Sequence, residues 1–97
     1  MKSFALFKQP VDVKLELAQR IKQIRKSKKY TQQELSERTN VSLGSIKRFE
    51  QKGEISLHHL LEIAQILEVL EDFDQLFQQK GEEISEKVKK AFEDGEA

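Results

Sequence analysis

The sequence predicts an all-α domain of five helices, preceded by an arm and followed by a segment able to form one more helix. Two observations carry this expectation. Three helix-start signatures follow one another between Thr31 and Ser56. Apolar residues recur at helical spacing in the segments on either side of them. A chain of 97 residues is a single domain with at most a tail. Its core is thin, and dimerisation often supports such a core.

The first element is the arm, residues 1–11. It holds Phe4, Ala5, Leu6 and Phe7, then Pro10. Proline blocks a helix from running back through this stretch, so it reads as extended. So many apolar groups on so short an arm call for a surface to pack on, such as a second subunit. Asp12 then caps a helix reaching about Ser27. Leu17, Ala18, Ile21 and Ile24 form its inner face, and Lys14, Arg20, Lys22, Arg25 and Lys26 lie elsewhere on it.

The next three helices start alike. Thr31 with Glu34 is a capping box, in which side chain and backbone satisfy each other's first-turn groups. Tyr30 and Leu35 stand at the staple positions that set how the chain enters a helix. Ser42 caps the next helix with Val41 and Ile46 as staple, and Ser56 the one after with Ile55 and Leu60. The helices are expected at 31–39, 42–51 and 56–68, with Leu57, Leu60, Leu61, Ala64 and Leu67 as the stripe of the last. A fifth covers 71–78, with Phe73, Leu76 and Phe77 inward. Gly81 reads as a break. Residues 82–95 read equally as a helix bearing Ile84, Val88, Ala91 and Phe92 on one side, or as a frayed acidic tail. The expected divisions are therefore 1–11 (arm), 12–79 (helical domain) and 80–97 (tail or helix).

The formal net charge of zero conceals a division. Residues 1–53 hold 13 basic and 5 acidic side chains, and residues 54–97 hold 4 basic and 12 acidic. The overall balance argues against a nucleic-acid partner, but the local balance argues for one.

The pair of helices at 31–39 and 42–51, joined by a short turn, has the form of a helix-turn-helix. Asn40 suits the turn because asparagine tolerates left-handed backbone. In the second helix Ile46 and Phe49 face inward, leaving Gly44, Lys47, Arg48 and Gln51 outward and Leu43 at the edge. That outer face fits a DNA major groove. Arg48 can bond guanine in two places, Lys47 can reach phosphate or guanine, and Leu43 can meet a thymine methyl. Gly44 would let the backbone approach DNA; its other use is close helix packing. Ser42 and Ser45 stand where a helix start favours phosphate. Gln32 can hold a phosphate and brace the reading helix.

The span LAQRIKQIRKSKKYTQQELSERTNVSLGSIKRFEQKGEISLHHLLEIAQILEVLEDFDQLF resembles the Xre/Cro-type, lambda-repressor-like DNA-binding domains over about residues 17–77. The resemblance rests on the order of Arg25 after Ile21, TQQELSERTNVS, Ile46 with Phe49 and Glu50, and the closing DFDQLF. It implies a five-helix fold, homodimers and palindromic operators on double-stranded DNA. By position it makes Gln32 the phosphate-binding glutamine. Ser42, Leu43, Gly44, Lys47 and Arg48 become DNA-facing positions of the recognition helix. Asn40 replaces a usual turn glycine and Ser36 a usual alanine, and the exit EQKGEIS is displaced by one residue, which unsettles the loop contacts. Within the family the chain resembles small Hip-type antitoxins, implying a toxin-like partner protein and repression of its own operon.

Other readings compete. Arg25 to Lys29 are a solvated helix end or, beside a helix-turn-helix, a phosphate-facing rim. Arg48 could instead pair with Glu50 or Glu54. His58 and His59 diverge by about 100° on a helix, and no ligand spacing completes a metal site. With no cysteine there is no disulfide or thiol nucleophile, which fits a cytoplasmic protein. No stretch approaches the ~20 apolar residues that cross a bilayer, and the start lacks a signal-peptide pattern. No cofactor motif, nucleophile elbow or phosphate loop suggests an enzyme. The expectation is a DNA-binding repressor. The rival is an antitoxin-like or other interaction module that mainly holds a partner protein. Such a module should expose an apolar patch at 4–7 or 84–92.

Overall fold

The computed structural model describes residues 8–93, which are all-helical with connecting turns. The helices are α1 (Pro10–Ser27), α2 (Gln32–Arg38), α3 (Leu43–Lys52), α4 (Leu57–Ile66), α5 (Leu70–Asp74) and α6 (Gln78–Glu93). Most of the expected arm, at 1–7, lies outside the described residues.

Helix α1 begins two residues before the expected cap. Pro10 is its first residue, and the Gln9 backbone N–H donates to Asp12 Oδ2 at 2.9 Å. Proline cannot continue a helix backward, but it opens one well, because its missing N–H is never needed there. Asp12 therefore serves from the third helical position and is not the cap itself.

The three other expected starts hold. Thr31 Oγ1 accepts from Glu34 N–H at 3.0 Å, and Thr31 N–H donates to Glu34 Oε1 at 2.8 Å. Ser42 Oγ accepts from Ser45 N–H and Ser56 Oγ from His59 N–H, both at 3.1 Å. Such a cap contributes about 1 kcal/mol. The staple residues Leu35, Val41, Ile46 and Leu60 are buried, and Tyr30 and Ile55 pack against them.

The core gathers Ala18 and Ile21 of α1, Leu35 of α2, Val41 of the turn, Ile46 and Phe49 of α3, and Leu60, Ile63 and Leu67 around α4. Leu17, Ile24 and Phe73 close over it. Leu57, expected in the α4 stripe, is exposed in the first turn. Leu76 and Phe77, expected inward, are exposed too, with Phe77 at 75%. The backbone turns left-handed at Phe77 (φ 60°) as the chain leaves α5 for α6, and Leu76, though exposed, still borders the apolar groove of Leu17, Ile21, Ile24 and Phe73. Helix α6 runs through Gly81 without a break. One glycine costs a helix only about 1 kcal/mol. Glu83 with Lys87 and Glu86 with Lys90 stand at the four-residue spacing that offsets part of it.

Candidate nucleic-acid interface

Two hydroxyls build the corner between α2 and α3. Thr39 Oγ1 donates to Leu35 O at 2.9 Å and accepts from Val41 N–H at 3.2 Å. Ser36 Oγ donates to Val41 O at 2.9 Å. Val41 is thus bonded at both its N–H and its carbonyl while its side chain fills the core. Asn40 is not left-handed, contrary to expectation: it is absent from the positive-φ residues, which are Lys29, Gly53, Glu68 and Phe77. The hydroxyl bonds shape the corner without that conformation, so no turn glycine is needed. Asn40 Nδ2 lies 3.5 Å from Glu62 Oε2 instead.

Helix α3 divides cleanly. Ile46 and Phe49 are fully buried. Gly44, Lys47, Arg48 and Gln51 are exposed, with Leu43 half-buried at the edge. A Cβ added at Gly44 would meet nothing within 4 Å, so helix packing does not demand this glycine.

Glu50 locks the inner side of α3 to the rest of the domain. Arg25 Nε donates to Glu50 Oε2 at 2.7 Å, and Arg25 Nη2 to Oε1 at 3.0 Å. Arg25 Nη1 donates to the Tyr30 carbonyl at 2.8 Å. Gln32 Nε2 adds a bond to Glu50 Oε1 at 2.8 Å. One carboxylate therefore joins the end of α1, the first turn of α2 and α3. Arg25 and Glu50 side chains are only 8% and 3% exposed. Arg25 accordingly leaves the basic rim that the sequence suggested: it is an internal tie, and the rim begins at Lys26.

A family model described as helix-turn-helix matches residues 21–73, more than half of the chain. The chain belongs to the Xre/lambda-repressor-like helix-turn-helix family. It is a DNA-binding regulator in general terms. No curated protein and no solved structure matches it. Among the described residues, no helix is long and apolar enough to cross a membrane.

The expected interface residues of this helix-turn-helix fall into two groups. Ser42, Gly44, Lys47 and Arg48 are exposed along one end and one side of α3. Gln32, Leu43 and Ser45 are half-buried behind them. Ser42 Oγ also donates to Ser45 Oγ at 2.9 Å, so the two hydroxyls are engaged with each other at the helix start. Gln32 does brace α3, through Glu50. Lys22, Lys26, Lys29, Lys47 and Lys52 carry no ion pair among the described residues, whereas Lys28 and Arg38 have internal partners. Lys28 Nζ sits 3.5 Å from Glu68 Oε1, and the Arg38 guanidinium lies 5.0 Å from the centre of the Tyr30 ring.

The exit from α3 holds Gly53, which the sequence did not mark, and Glu54, which it offered as one alternative partner of Arg48. Gly53 caps the helix in the left-handed region at φ 71°, and a Cβ there would meet the Lys14 carbonyl oxygen at 2.8 Å. Glycine is thus required twice over, by backbone conformation and by contact with α1. Next comes Glu54, whose Oε1 accepts from Arg48 Nη2 and whose Oε2 lies 3.4 Å from Lys14 Nζ. Hydrogen bonds from Lys14 and then Arg48 hold the Glu54 carboxyl below its ordinary pKa. A glycine directly after a capped helix is a readable signal for Gly53. Nothing in the local sequence announces the bond from Glu54 to Lys14, which is 40 residues away.

Proposed function

We propose that the protein is a transcriptional repressor that binds a palindromic operator as a homodimer in the cytoplasm. Each subunit lays α3 in a major groove, and the two half-sites stand about one helical turn, roughly 34 Å, apart. The observation that carries this reading is the outer face of α3. Gly44, Lys47 and Arg48 are open to solvent there, on a helix whose inner face is fixed by Phe49 and Glu50. In this reading Arg48 contacts guanine, Lys47 phosphate or guanine, and Leu43 a thymine methyl. Gly44 admits the backbone close to the bases. Gln32, Ser42 and Ser45 meet phosphates at the two helix starts. Binding, and no catalysis or cofactor, is the activity.

Selection of random duplex DNA by the purified protein at physiological salt tests this. An enriched palindrome with guanines at fixed half-site positions is the expected result. Weak, salt-erased binding without enrichment overturns it.

A second reading has one observation in its favour. Ile84, Val88 and Phe92 form an exposed apolar stripe at four-residue spacing on α6, and the exposed Phe77 precedes it. A surface of this kind suits an antitoxin-like module that holds a toxin-like partner protein. Residues 4–7, the other expected patch, lie outside the described residues. A protein co-purifying in fixed ratio and released by Val88→Glu would favour it.

A further inference from the structure

Arg48 is not an idle cation on the outer face of α3. Its Nη2 donates to Glu54 Oε1, while the other carboxylate oxygen of Glu54 faces Lys14 Nζ at 3.4 Å. The carboxylate thus has two cationic partners on separate oxygens, one from the recognition helix and one from α1. Its backbone is held from both sides. Gly53 before it is capped through a 2.7 Å bond from its N–H to Phe49 O and lies against the Lys14 backbone. Ile55 after it packs on the core. Glu54 therefore stands at a set place and does not swing on a loose loop.

DNA would take the Arg48 guanidinium only by displacing a carboxylate from it. The geometry allows this without stranding that carboxylate, since the Lys14 contact uses the other oxygen. We infer that Glu54 is a built-in competitor for Arg48. It occupies the guanidinium in the free protein and stays with Lys14 when DNA takes Arg48 away. This rests on the reading of Arg48 as a DNA contact. The device lowers affinity for every duplex by the strength of one exposed ion pair. It also softens the salt dependence, because added salt weakens the competing Arg48–Glu54 pair along with the DNA contacts.

The test uses the full chain and the duplex enriched by selection, with a mixed-sequence duplex beside it, titrated across a series of KCl concentrations. Its variants are Glu54→Gln, Arg48→Ala, Lys14→Met and their pairwise combinations. Arg48, Glu54 and Lys14 all keep solvent-exposed side chains, so these variants fold. Glu54→Gln is expected to tighten binding about 2- to 5-fold, the range of an exposed ion pair. It should also steepen the salt slope, by less than the value of about 0.9 for one full phosphate contact. Adding Arg48→Ala erases both effects. Lys14→Met weakens binding where Glu54 is present and has less effect in the Glu54→Gln background.

Three results overturn the proposal, each differently. If Glu54→Gln tightens binding equally with Arg48 removed, Glu54 merely repels phosphate. If Arg48→Ala weakens binding by one factor in both backgrounds while Glu54→Gln does nothing, Arg48 meets DNA uncontested and its DNA-facing role survives. If Arg48→Ala has no effect in either background, the DNA-facing reading of Arg48 falls together with the competitor.

Discussion

Arg25 and Glu50 stand 25 residues apart and form a two-pronged ion pair whose side chains are both shut away from water. A buried pair of this kind is weak evidence of net stability, because desolvating two charges costs about as much as their attraction returns. Its contribution is orientation. It sets the rotation of α3 about its own axis, and through Gln32 it sets where α2 begins relative to α3.

Removing one partner strands the other. Glu50→Ala should destabilise the domain by about 3–5 kcal/mol, the cost of an uncompensated buried charge. Urea denaturation followed by circular dichroism measures it. The double change Arg25→Met with Glu50→Leu should recover most of that loss, and DNA affinity should stay low because Gln32 and α3 have lost their common anchor. Full recovery of DNA binding would show that the pair has no orienting role.

The glycine inside α3 and the glycine that caps it should respond in opposite ways. Gly53→Ala places a Cβ against the Lys14 carbonyl in a left-handed residue, a strain of about 1–3 kcal/mol that thermal melting will register. Gly44→Ala meets no neighbour and gains up to about 1 kcal/mol of helix propensity. The Gly44 variant should therefore melt no lower than the parent while binding its operator less tightly. A stable variant with unchanged operator affinity would remove close DNA approach as the reason for that glycine.

Arg48→Ala should cost about 1–3 kcal/mol on the selected operator and far less on random duplex. Anisotropy titrations on both DNAs decide it. Equal losses would make Arg48 a phosphate contact without sequence preference.

Acid should loosen the exit from α3. Lys14 and Arg48 hold the Glu54 carboxyl below its ordinary value of 4.5. A group whose pKa is depressed on folding stabilises the folded state above its unfolded pKa, and that contribution is lost as pH falls through the folded one. Neutral pH down to about 5 should therefore leave this contribution intact, and it should vanish below 4.5. The stability difference between the parent and Glu54→Gln should be flat above that window and shrink within it. A difference that changed chiefly between pH 6 and 8 would assign the effect to another group.

What the sequence made legible was local. The caps at Thr31, Ser42 and Ser56 depend on residues three apart, and the division of α3 depends on a 3.6-residue period, so both could be read from a short window. Pro10 was ambiguous because proline both bars a helix behind it and opens one ahead of it. Choosing between the two needed the Gln9 and Asp12 geometry. Asn40 pointed to a left-handed turn, but the hydroxyls of Ser36 and Thr39 shape that corner instead. A serine in a helix and a threonine after it are too common to reveal that use. The least legible parts were the long-range ties. Arg25 looked like one more cation in a basic run, and only folding brings it to Glu50. The exposure of Phe77 likewise goes with its own left-handed backbone, which no periodicity predicts.

Beyond the exposed Arg48–Glu54 pair, Ile46, Phe49 and Glu50 leave Leu43, Gly44, Lys47 and Arg48 with few duties inside the domain. Mutation can therefore rewrite those four positions while the scaffold stays folded. If these positions read the operator as proposed, duplicated copies of such a gene can drift toward separate operators, changing their genomic address one exposed residue at a time, with no unfolded intermediate along the way.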